Sequence, residues 1–181
     1  MNTQRNIEAV IGFWRDAGPQ RWFAQDDAFD TRFRERFLDA HHAAARRERD
    51  AWADTPDGVL ALLILLDQFP RNAFRGTAHM FATDGLALHF TERALAAGFD
   101  ARIEAALRPF VYMPLMHSEA VSDQDRCVAC MQPIGGESLK YAEVHRDIIR
   151  RFGRFPHRNP MLGRETTSAE RAFLDAGGFA G

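Results

Sequence analysis

Apolar residues recur at intervals of three and four through most of the chain, with polar residues between them. The first two segments with this spacing contain Ile7, Val10, Ile11 and Trp14, and then Phe29, Phe33, Phe37, Ala40 and Ala44. The period is that of an α-helix with one buried face. Gly18-Pro19 predicts the end of the first helix, because glycine and proline stop helices.

The apolar run VLALLILL, residues 59–66, fits either a buried strand or a buried helix. Thr55-Pro56-Asp57 before it supplies an N-cap, a proline for the first helical position and an early acidic residue. These signals favour a helix. We expect it to end at Phe69, because Pro70 follows.

Several further helices are predicted from the same signals. They cover residues 78–97, 109–119 with a bend at Pro114, 122–131, 137–152, and a short segment between a Thr167–Glu170 capping box and Gly177. The expected apolar face of residues 137–152 consists of Tyr141, Val144, Ile148, Ile149 and Phe152. No segment has the alternation of a strand. We therefore predict a single all-α domain over residues 1–181, with seven or eight helices packed antiparallel in a helical stack or irregular bundle.

Composition excludes several classes of protein. With 181 residues, 46% of them apolar, the chain can bury one globular core, and its formal net charge of −2 gives no general attraction for nucleic acid or anionic membranes. No apolar run reaches the roughly 20 residues of a membrane helix, and MNTQRNIEAV lacks the apolar core of a signal peptide. We expect a cytoplasmic protein.

Metal and nucleotide motifs are absent from the sequence. No His-Glu-x-x-His occurs, and the neighbours His41 and His42 diverge by about 100° around a helix. Cys127 and Cys130 share a helix face with no strand before them, so we interpret both as small core residues. No glycine-rich loop is present to bind a phosphate. We expect neither a metal nor a cofactor.

Two near-copies of one motif follow predicted helices: DQFPRN at residues 67–72 and FGRFPHRN at residues 152–159. In each of these Phe-Pro motifs a Phe can pack on the core, a Pro can stop the helix and an Asn can adopt a turn. Helix termination explains neither the arginine in each copy, Arg71 and Arg158, nor the extra His157. These three residues are the first candidates for function.

Residues 145–164 contain six arginines and two histidines but only one acidic residue. Arg154, Arg158 and Arg164 lie among Phe, Gly and Pro in a predicted loop, where guanidinium groups suit a carboxylate or phosphate. They can equally pair with internal carboxylates. The candidate partners are Asp67, Glu119 and Asp147.

His145 lies on the predicted apolar face of residues 137–152. It is either a core histidine hydrogen-bonded to a neighbouring helix or part of a pocket wall. Met116-His117-Ser118-Glu119 places a base, a hydroxyl and a carboxylate in a row, but adjacency is not the geometry of a triad, and no Gly-x-Ser-x-Gly turn surrounds the serine. His117 and Glu119 can instead line a polar cavity.

The stretches LLILLDQFPRNAFRGTAHMFATD (residues 62–84), YMPLMHSE (112–119) and HRDIIRRFGRFPHRNPMLGRETT (145–167) resemble the bacterial family catalogued as domain of unknown function 924. An amino-terminal FW…RWF…D…FD pattern extends the likeness over nearly the whole chain. The resemblance implies an all-α fold similar to tetratricopeptide-type helix stacks and a family without an established activity. Its polar positions, carried onto this sequence, are Asp67, Gln68, Arg71, Asn72, Arg75, His117, Ser118, Glu119, His145, Arg146, Arg154, His157, Arg158, Asn159 and Arg164.

The first hypothesis is a small-ligand site where the two Phe-Pro motifs and residues 117–119 meet. Its proton-transfer and orienting groups would be His117, Glu119, His145, His157 and Asp67. Its ligand-binding groups, for a small carboxylate or phosphate, would be Arg71, Asn72, Arg146, Arg154, Arg158, Asn159 and Arg164.

The alternative is an interaction module, in which a helix stack uses its arginines to select an acidic peptide or a carboxyl terminus. A closed pocket would favour the small molecule, and an open groove would favour the peptide. RNA binding ranks third, because the arginines are not interleaved with exposed aromatic residues.

Overall fold

The structure is a computed structural model that describes residues 3–180, so Met1, Asn2 and Gly181 of the predicted domain lie outside the described residues. The described chain is helical and contains no β-strand, which confirms the all-α prediction. Its helices are α1 (Thr3–Ala17), α2 (Pro19–Trp22), α3 (Asp27–Ala45), α4 (Pro56–Leu63), α5 (Phe69–Ala73), α6 (Asp84–Ala96), α7 (Pro109–His117), α8 (Val121–Met131), α9 (Gly136–Phe152) and α10 (Ser168–Asp175). A π-helical segment, Ile64–Gln68, joins α4 to α5.

Helix ends follow the capping signals in the sequence. Thr55 accepts a hydrogen bond from the Gly58 amide at 3.1 Å and caps α4. The capping box of Thr167 and Glu170 opens α10 as predicted. Gly153 ends α9 at a φ of 70°, a conformation that glycine adopts without the steric cost of a Cβ.

Two helix predictions were wrong in detail. The single turn α2 was missed, because Gly18-Pro19 indicated a stop, whereas Pro19 begins a new turn directly after the glycine. The predicted continuous helix over residues 78–97 is a 3₁₀ turn, Ala78–Phe81, followed by the separate helix α6. Both errors lie at short interruptions between helices, which the spacing of apolar residues does not reveal.

The buried face of α9 also differs from the prediction. Tyr141 and Val144 are 47% and 36% exposed, whereas Ala142 and His145 are buried with Ile148 and Ile149. The predicted and the observed sets of buried residues both have helical spacing, and both contain Ile148 and Ile149. Packing against α8 therefore decides which face of α9 is buried, and the spacing of apolar residues alone does not distinguish the two faces.

The helix that begins with α4 does not end at Phe69, as was predicted. It continues through the π-helical segment into α5, which contains Pro70. The Phe69 amide reaches back five residues to the Ile64 carbonyl, so the helix widens immediately before the proline. Pro70 has no N–H to donate to the carbonyls four and five positions earlier.

Side chains supply donors to this widened turn. Three of them donate hydrogen bonds to consecutive carbonyls: His41 to Leu65 at 2.9 Å, Thr83 to Leu66 at 2.5 Å and Arg71 to Asp67 at 2.8 Å. Buried main-chain carbonyls need such partners. The helix can therefore pass through a proline without leaving these three groups unpaired.

The chain forms two compact units. The amino-terminal unit contains the residues up to Arg75 together with His79–Pro114, and the carboxy-terminal unit contains Gly76–Ala78 and the residues from Leu115 onward. The first has an aromatic core around the apolar helix α4, with Trp14, Phe33, Phe69, Phe90 and Phe110 fully or almost fully buried. In the second, α8 packs against α9, and Ile148, Ile149 and Phe155 form a buried cluster. The single-domain organisation stays a prediction.

Within residues 3–180, no helix is both long enough and apolar enough to cross a lipid bilayer. Cys127 lies in the core as predicted, whereas Cys130 is half-buried, and neither forms a disulfide. Burial raises the pKa of the Cys127 thiol to about 12, so that this cysteine stays protonated and unreactive at neutral pH.

Candidate functional site

The predicted site residues belong to both units. Asp67, Arg71 and Asn72 lie in the π-helical segment and α5 of the amino-terminal unit. The others lie in the carboxy-terminal unit: His117, Glu119, His145, Arg146, Arg154, His157, Arg158, Asn159 and Arg164. The convergence of the two Phe-Pro motifs on one site stays a prediction.

Arg71 pairs with carboxylates of its own unit. Its guanidinium donates two hydrogen bonds to Asp84, at 2.9 and 3.0 Å, and lies 3.2 Å from Asp67 Oδ1. Burial alone would lower the pKa of Arg71, but the two carboxylates outweigh it and the pKa is raised. The Asp67 carboxylate is almost completely buried and also accepts a hydrogen bond from Gln68. Arg71 and Asp67 thus form a buried ion pair at the π-helical segment.

Asn72 ties α5 to α3. It donates to Asp30 Oδ1 at 2.7 Å, and Arg75 donates to Oδ2 of the same carboxylate at 2.6 Å. A cleft of about 330 Å³ opens beside these residues, and its charged lining consists of Asp27, Asp30, Arg34 and Arg75. Two acidic and two basic side chains leave no excess of either charge. This cleft therefore offers little to select an anion, despite its size.

A histidine pair in the amino-terminal unit was not predicted from the sequence. His41 is fully buried, and its Nε2 lies 3.2 Å from Nε2 of His79. Burial lowers the pKa of His41 to about 4. Because the neutral His41 ring uses its Nδ1–H on the Leu65 carbonyl, its Nε2 accepts and His79 donates. The available signal was the position of His41, four residues after Phe37 on the apolar face of α3.

Arg154 is held by Glu170 in the carboxy-terminal unit. Its Nε and Nη2 donate to the two oxygens of Glu170 at 2.6 and 2.8 Å, and Nη2 also donates to the Glu165 carbonyl. The hydrogen bond from Arg154 is the main cause that lowers the pKa of Glu170 to about 2. Asn159 Nδ2 lies 3.3 Å from the same carboxylate. Arg154 and Asn159 thus attach the second Phe-Pro motif to the start of α10.

Arg164 is held by Glu119. Two hydrogen bonds of 2.8 and 3.0 Å join the guanidinium to the carboxylate, and Glu119 also accepts the Phe155 amide at 2.9 Å. Partial burial alone would raise the pKa of Glu119, but the bonds from Arg164 and Phe155 and the charge of Arg158 keep it below its usual value. Internal pairing, one of the two explanations open from the sequence, accounts for both Arg154 and Arg164.

Three basic residues of the carboxy-terminal unit gather around the ring of Phe155, and a fourth lies beside one of them. The ring centroids of His145 and His157 lie 5.4 and 5.7 Å from that of Phe155, and the Arg158 guanidinium carbon lies 4.4 Å from it. His117 is 6.3 Å from His145, ring to ring. We call His117, His145, His157 and Arg158 the histidine cluster. His145 and Arg158 are each only 6% exposed, whereas the other two are half-buried and reach solvent.

His145 has a defined tautomer. Its Nδ1 lies 2.8 Å from the Tyr141 carbonyl, in its own helix and not in a neighbouring one. A carbonyl only accepts, so Nδ1 carries the proton and Nε2 presents a lone pair. Burial lowers the pKa of His145 to about 3, and the charges of His117, Arg158 and His157 act in the same direction. His145 is therefore neutral at neutral pH.

The remaining candidates near α7 and α9 have local roles. Ser118 donates a hydrogen bond to Asp123 at 2.6 Å, so its hydroxyl serves the turn before α8. Arg146 is half-buried, and its Nε lies 3.5 Å from the exposed carboxylate of Asp147. In the part of the chain that the structure describes, no group of three or more His, Cys, Asp or Glu side chains is arranged to hold a metal ion.

Comparison with known proteins gives the family. Residues 10–178 match the sequence profile of DUF924, described as a bacterial protein of unknown function. The chain belongs to this family. No curated protein matches the chain.

A solved structure is similar to this chain in both sequence and fold. It is the structure of a protein of unknown function, ATU0120 from Agrobacterium tumefaciens, which is 51% identical to this chain. The two superpose with a TM-score of 0.95, over 97% of this chain and 99% of that one. Neither the family description nor the name given to the solved structure specifies an activity.

Proposed function

We propose that the histidine cluster binds a small anionic molecule, whose carboxylate or phosphate group lies at Arg158. The observation that carries this proposal is the position of Arg158, a guanidinium only 6% exposed that stacks on Phe155, the ring that His145 and His157 also adjoin. A guanidinium suits the planar geometry of a carboxylate, to which it can donate two parallel hydrogen bonds.

Other arginines predicted to bind ligand are left out of this site. Arg71, Arg154 and Arg164 each have a carboxylate partner at 3.0 Å or less. Asn72 and Asn159 also bond to carboxylates, and Asp67 and Glu119 are themselves partners in these pairs. These residues stabilise the fold, and a ligand that bound to them would have to break internal ion pairs or hydrogen bonds.

Proton transfer at this site would depend on the binding of an anion. His145 presents the lone pair of Nε2, but a pKa of about 3 makes it a weak base at neutral pH. A neighbouring anion favours the charged imidazole and raises its pKa. We therefore expect proton uptake when the anion binds, and any acid–base catalysis would follow from that shift.

The competing proposal is a tetratricopeptide-like stack that binds an acidic peptide or a carboxyl terminus. We rank it second, because three of the four side chains of the histidine cluster converge on one ring, that of Phe155. Such convergence suits one anionic group better than a row of acidic side chains.

Isothermal titration of the full chain with acetate and inorganic phosphate tests the anion site. The wild-type protein should bind at least one of them and take up protons, measured in two buffers with different ionisation enthalpies. Arg158→Gln should weaken that binding at least about tenfold, because a charge-assisted hydrogen bond is lost. The matched control is Arg150→Gln, since Arg150 is 49% exposed and pairs with Asp125 on the surface.

Two results would reject the anion site. One is unchanged binding by a folded Arg158→Gln variant. The other is an acidic peptide that binds in an Arg158-dependent manner while neither small anion binds, which would support the competing proposal.

A further inference from the structure

One side of helix α3 lines the cleft of about 330 Å³ in the amino-terminal unit. The residues of α3 in its wall are Asp27, Asp30, Thr31 and Arg34, at positions i, i+3, i+4 and i+7. Residues with this spacing share one side of an α-helix. The volume is at the lower end of the roughly 300–1,000 Å³ of ligand pockets, so the cleft suits a small molecule.

An internal ion pair holds the two walls of the cleft together. Arg75 donates from Nε and Nη2 to the two oxygens of Asp30, at 2.6 and 3.3 Å, and Asn72 donates to Asp30 Oδ1 at 2.7 Å. Asp30 is only 9% exposed. Arg75 and Asp30 therefore neutralise each other and fix α3 against α5, and the charges available to a ligand have to come from the other lining residues.

Arg34 supplies a positive charge at a fixed position. Its Nη1 donates to the Ala73 carbonyl at 2.7 Å, and its guanidinium carbon lies 4.9 Å from the ring centroid of Phe74. Among residues 3–180, no carboxylate lies within 4.0 Å of this guanidinium. Because a carbonyl and a ring already hold the side chain, it loses less conformational freedom when it binds a carboxylate.

Asp27 supplies a charge of the opposite sign. It begins α3 and is exposed, and no basic group in the described part of the chain lies within 4.0 Å of its carboxylate. Seven residues separate Asp27 from Arg34, which corresponds to about 10.5 Å along the helix axis. The cleft thus presents one negative and one positive group, two turns apart on the same side of one helix.

We propose that this cleft binds a small zwitterion, a molecule with one ammonium and one carboxylate group such as an amino acid or a dipeptide. Its carboxylate pairs with Arg34 and its ammonium with Asp27. A simple anion would be attracted by Arg34 and repelled by Asp27, and the reverse holds for a simple cation. Only a ligand with both charges gains at both ends. The proposal is independent of the anion site at Arg158.

Three compounds with the same carbon chain and different end groups test the proposal. The zwitterion 4-aminobutyrate has both charges, butyrate only the negative one and butylamine only the positive one. Titrations of the ¹⁵N-labelled full chain, followed in ¹H–¹⁵N spectra, measure weak affinities and locate the ligand. 4-Aminobutyrate should bind at least about tenfold more tightly than either analogue, because it forms a second charge-assisted hydrogen bond. The amide signals of Thr31 and Ala73 should shift on binding.

Glycine and glycylglycine distinguish the two sources of a zwitterion. The charges are closer together in glycine and farther apart in glycylglycine. Binding of either one at the cleft supports the proposal, and the tighter of the two shows whether the cleft prefers an amino acid or a dipeptide.

Two variants separate the ends of the ligand. Asp27→Asn should reduce the affinity for 4-aminobutyrate to about that for butyrate, without weakening the binding of butyrate itself. Arg34→Gln should reduce it to about the affinity for butylamine. The matched controls are Arg32→Gln and Asp39→Asn, at exposed positions of α3 outside the cleft, and they should leave all three affinities unchanged. Circular dichroism and thermal unfolding establish that each variant is folded.

The zwitterion site is overturned if none of the three zwitterions binds, or if 4-aminobutyrate, butyrate and butylamine bind equally. It is also overturned if a folded Asp27→Asn or Arg34→Gln variant keeps the wild-type preference for 4-aminobutyrate. Arg158→Gln should leave the affinity for 4-aminobutyrate unchanged, so that the anion site can fail without affecting this test. Zwitterion binding that is lost in Arg158→Gln and kept in both cleft variants would place the ligand at the histidine cluster and reject the cleft.

Discussion

Thr83 donates a hydrogen bond from its hydroxyl to the main-chain oxygen of Leu66. This is one of the two carbonyls to which Pro70 cannot donate, because proline has no N–H. His41 and Arg71 donate to the carbonyls on either side, those of Leu65 and Asp67. The side chains of Thr83 and His41 thus donate to the two carbonyls to which Pro70 cannot, and Arg71 adds a donor at the next carbonyl. The arginine of the first Phe-Pro motif, which turn chemistry alone did not explain, has a structural role in this turn.

Thr83→Val should destabilise the protein by about 1–3 kcal/mol, because the isosteric side chain leaves the buried Leu66 carbonyl without this donor. Urea unfolding would report the loss as a lower midpoint at an unchanged slope. Thr31→Val is the control, since the Thr31 hydroxyl bonds to the Asp27 carbonyl on an exposed face of α3. The control should change stability by less than about 0.5 kcal/mol. Equal losses in both variants would contradict the role of Thr83.

Stability should fall as the pH is lowered from about 6.5 towards 4. Burial lowers the pKa of folded His41 to about 4, below the 6.5 of an unperturbed histidine, so the unfolded chain binds a proton first. His145, with a folded pKa of about 3, acts in the same direction down to lower pH. His41→Asn keeps a donor for Leu65 but cannot titrate.

The measurement is the free energy of unfolding across this pH range. Its slope should be shallower in His41→Asn than in the wild-type protein, because one titrating group is gone. Thr83→Val, which alters the same turn without removing a titrating group, should keep the wild-type slope. Superimposable slopes for His41→Asn and the wild-type protein would refute this linkage.

Glu170→Gln should lower the thermal midpoint most above a pH of about 4.5. The hydrogen bond from Arg154 lowers the pKa of Glu170 to about 2, so the ionised pair stabilises the fold above the unfolded-state value and is lost as the pH falls towards 2. Thermal unfolding at several pH values measures the difference between variant and wild type. Glu165→Gln, at an exposed side chain nearby, should have little effect. A difference that did not depend on pH would count against the ion pair.

His41 and His145 should both carry their proton on Nδ1 at neutral pH, because each donates from that atom to a main-chain carbonyl. Two-dimensional ¹H–¹⁵N spectra of the imidazoles distinguish this tautomer from the Nε2–H form. Addition of a bound anion should shift His145 towards the doubly protonated form. An Nε2–H signal for His145 in the free protein would contradict the hydrogen bond to Tyr141.

Local structure could be predicted wherever its cause lies within one helical turn. Thr55, Thr167 and Gly153 mark helix ends through bonds to residues a few positions away. The end predicted at Phe69 was wrong, since the helix passes Pro70 with the help of His41 and Thr83, which lie far away in sequence. The proline is visible in the local sequence, whereas the side chains that donate to the carbonyls before it come from distant positions in the chain.

The candidate residues could be named from the sequence, but their roles could not be separated. Arg154, Arg158 and Arg164 lie in one basic segment with similar neighbours. The chain path brings Glu170 to the first and Glu119 to the third, and it stacks the second on Phe155. Spacing does not specify which guanidinium meets a carboxylate.

By itself, the sequence determined the all-α class, most helix ends, the family and the residue types available for chemistry, because each depends on residues close together in the chain or on the motifs they form. Only the tertiary structure decided which face of α9 is buried, and that Arg154 pairs with Glu170 and Arg164 with Glu119. It also decided that Phe179 lies on His145 and His157. These contacts join distant parts of the chain, and their distances follow from packing that no local pattern encodes.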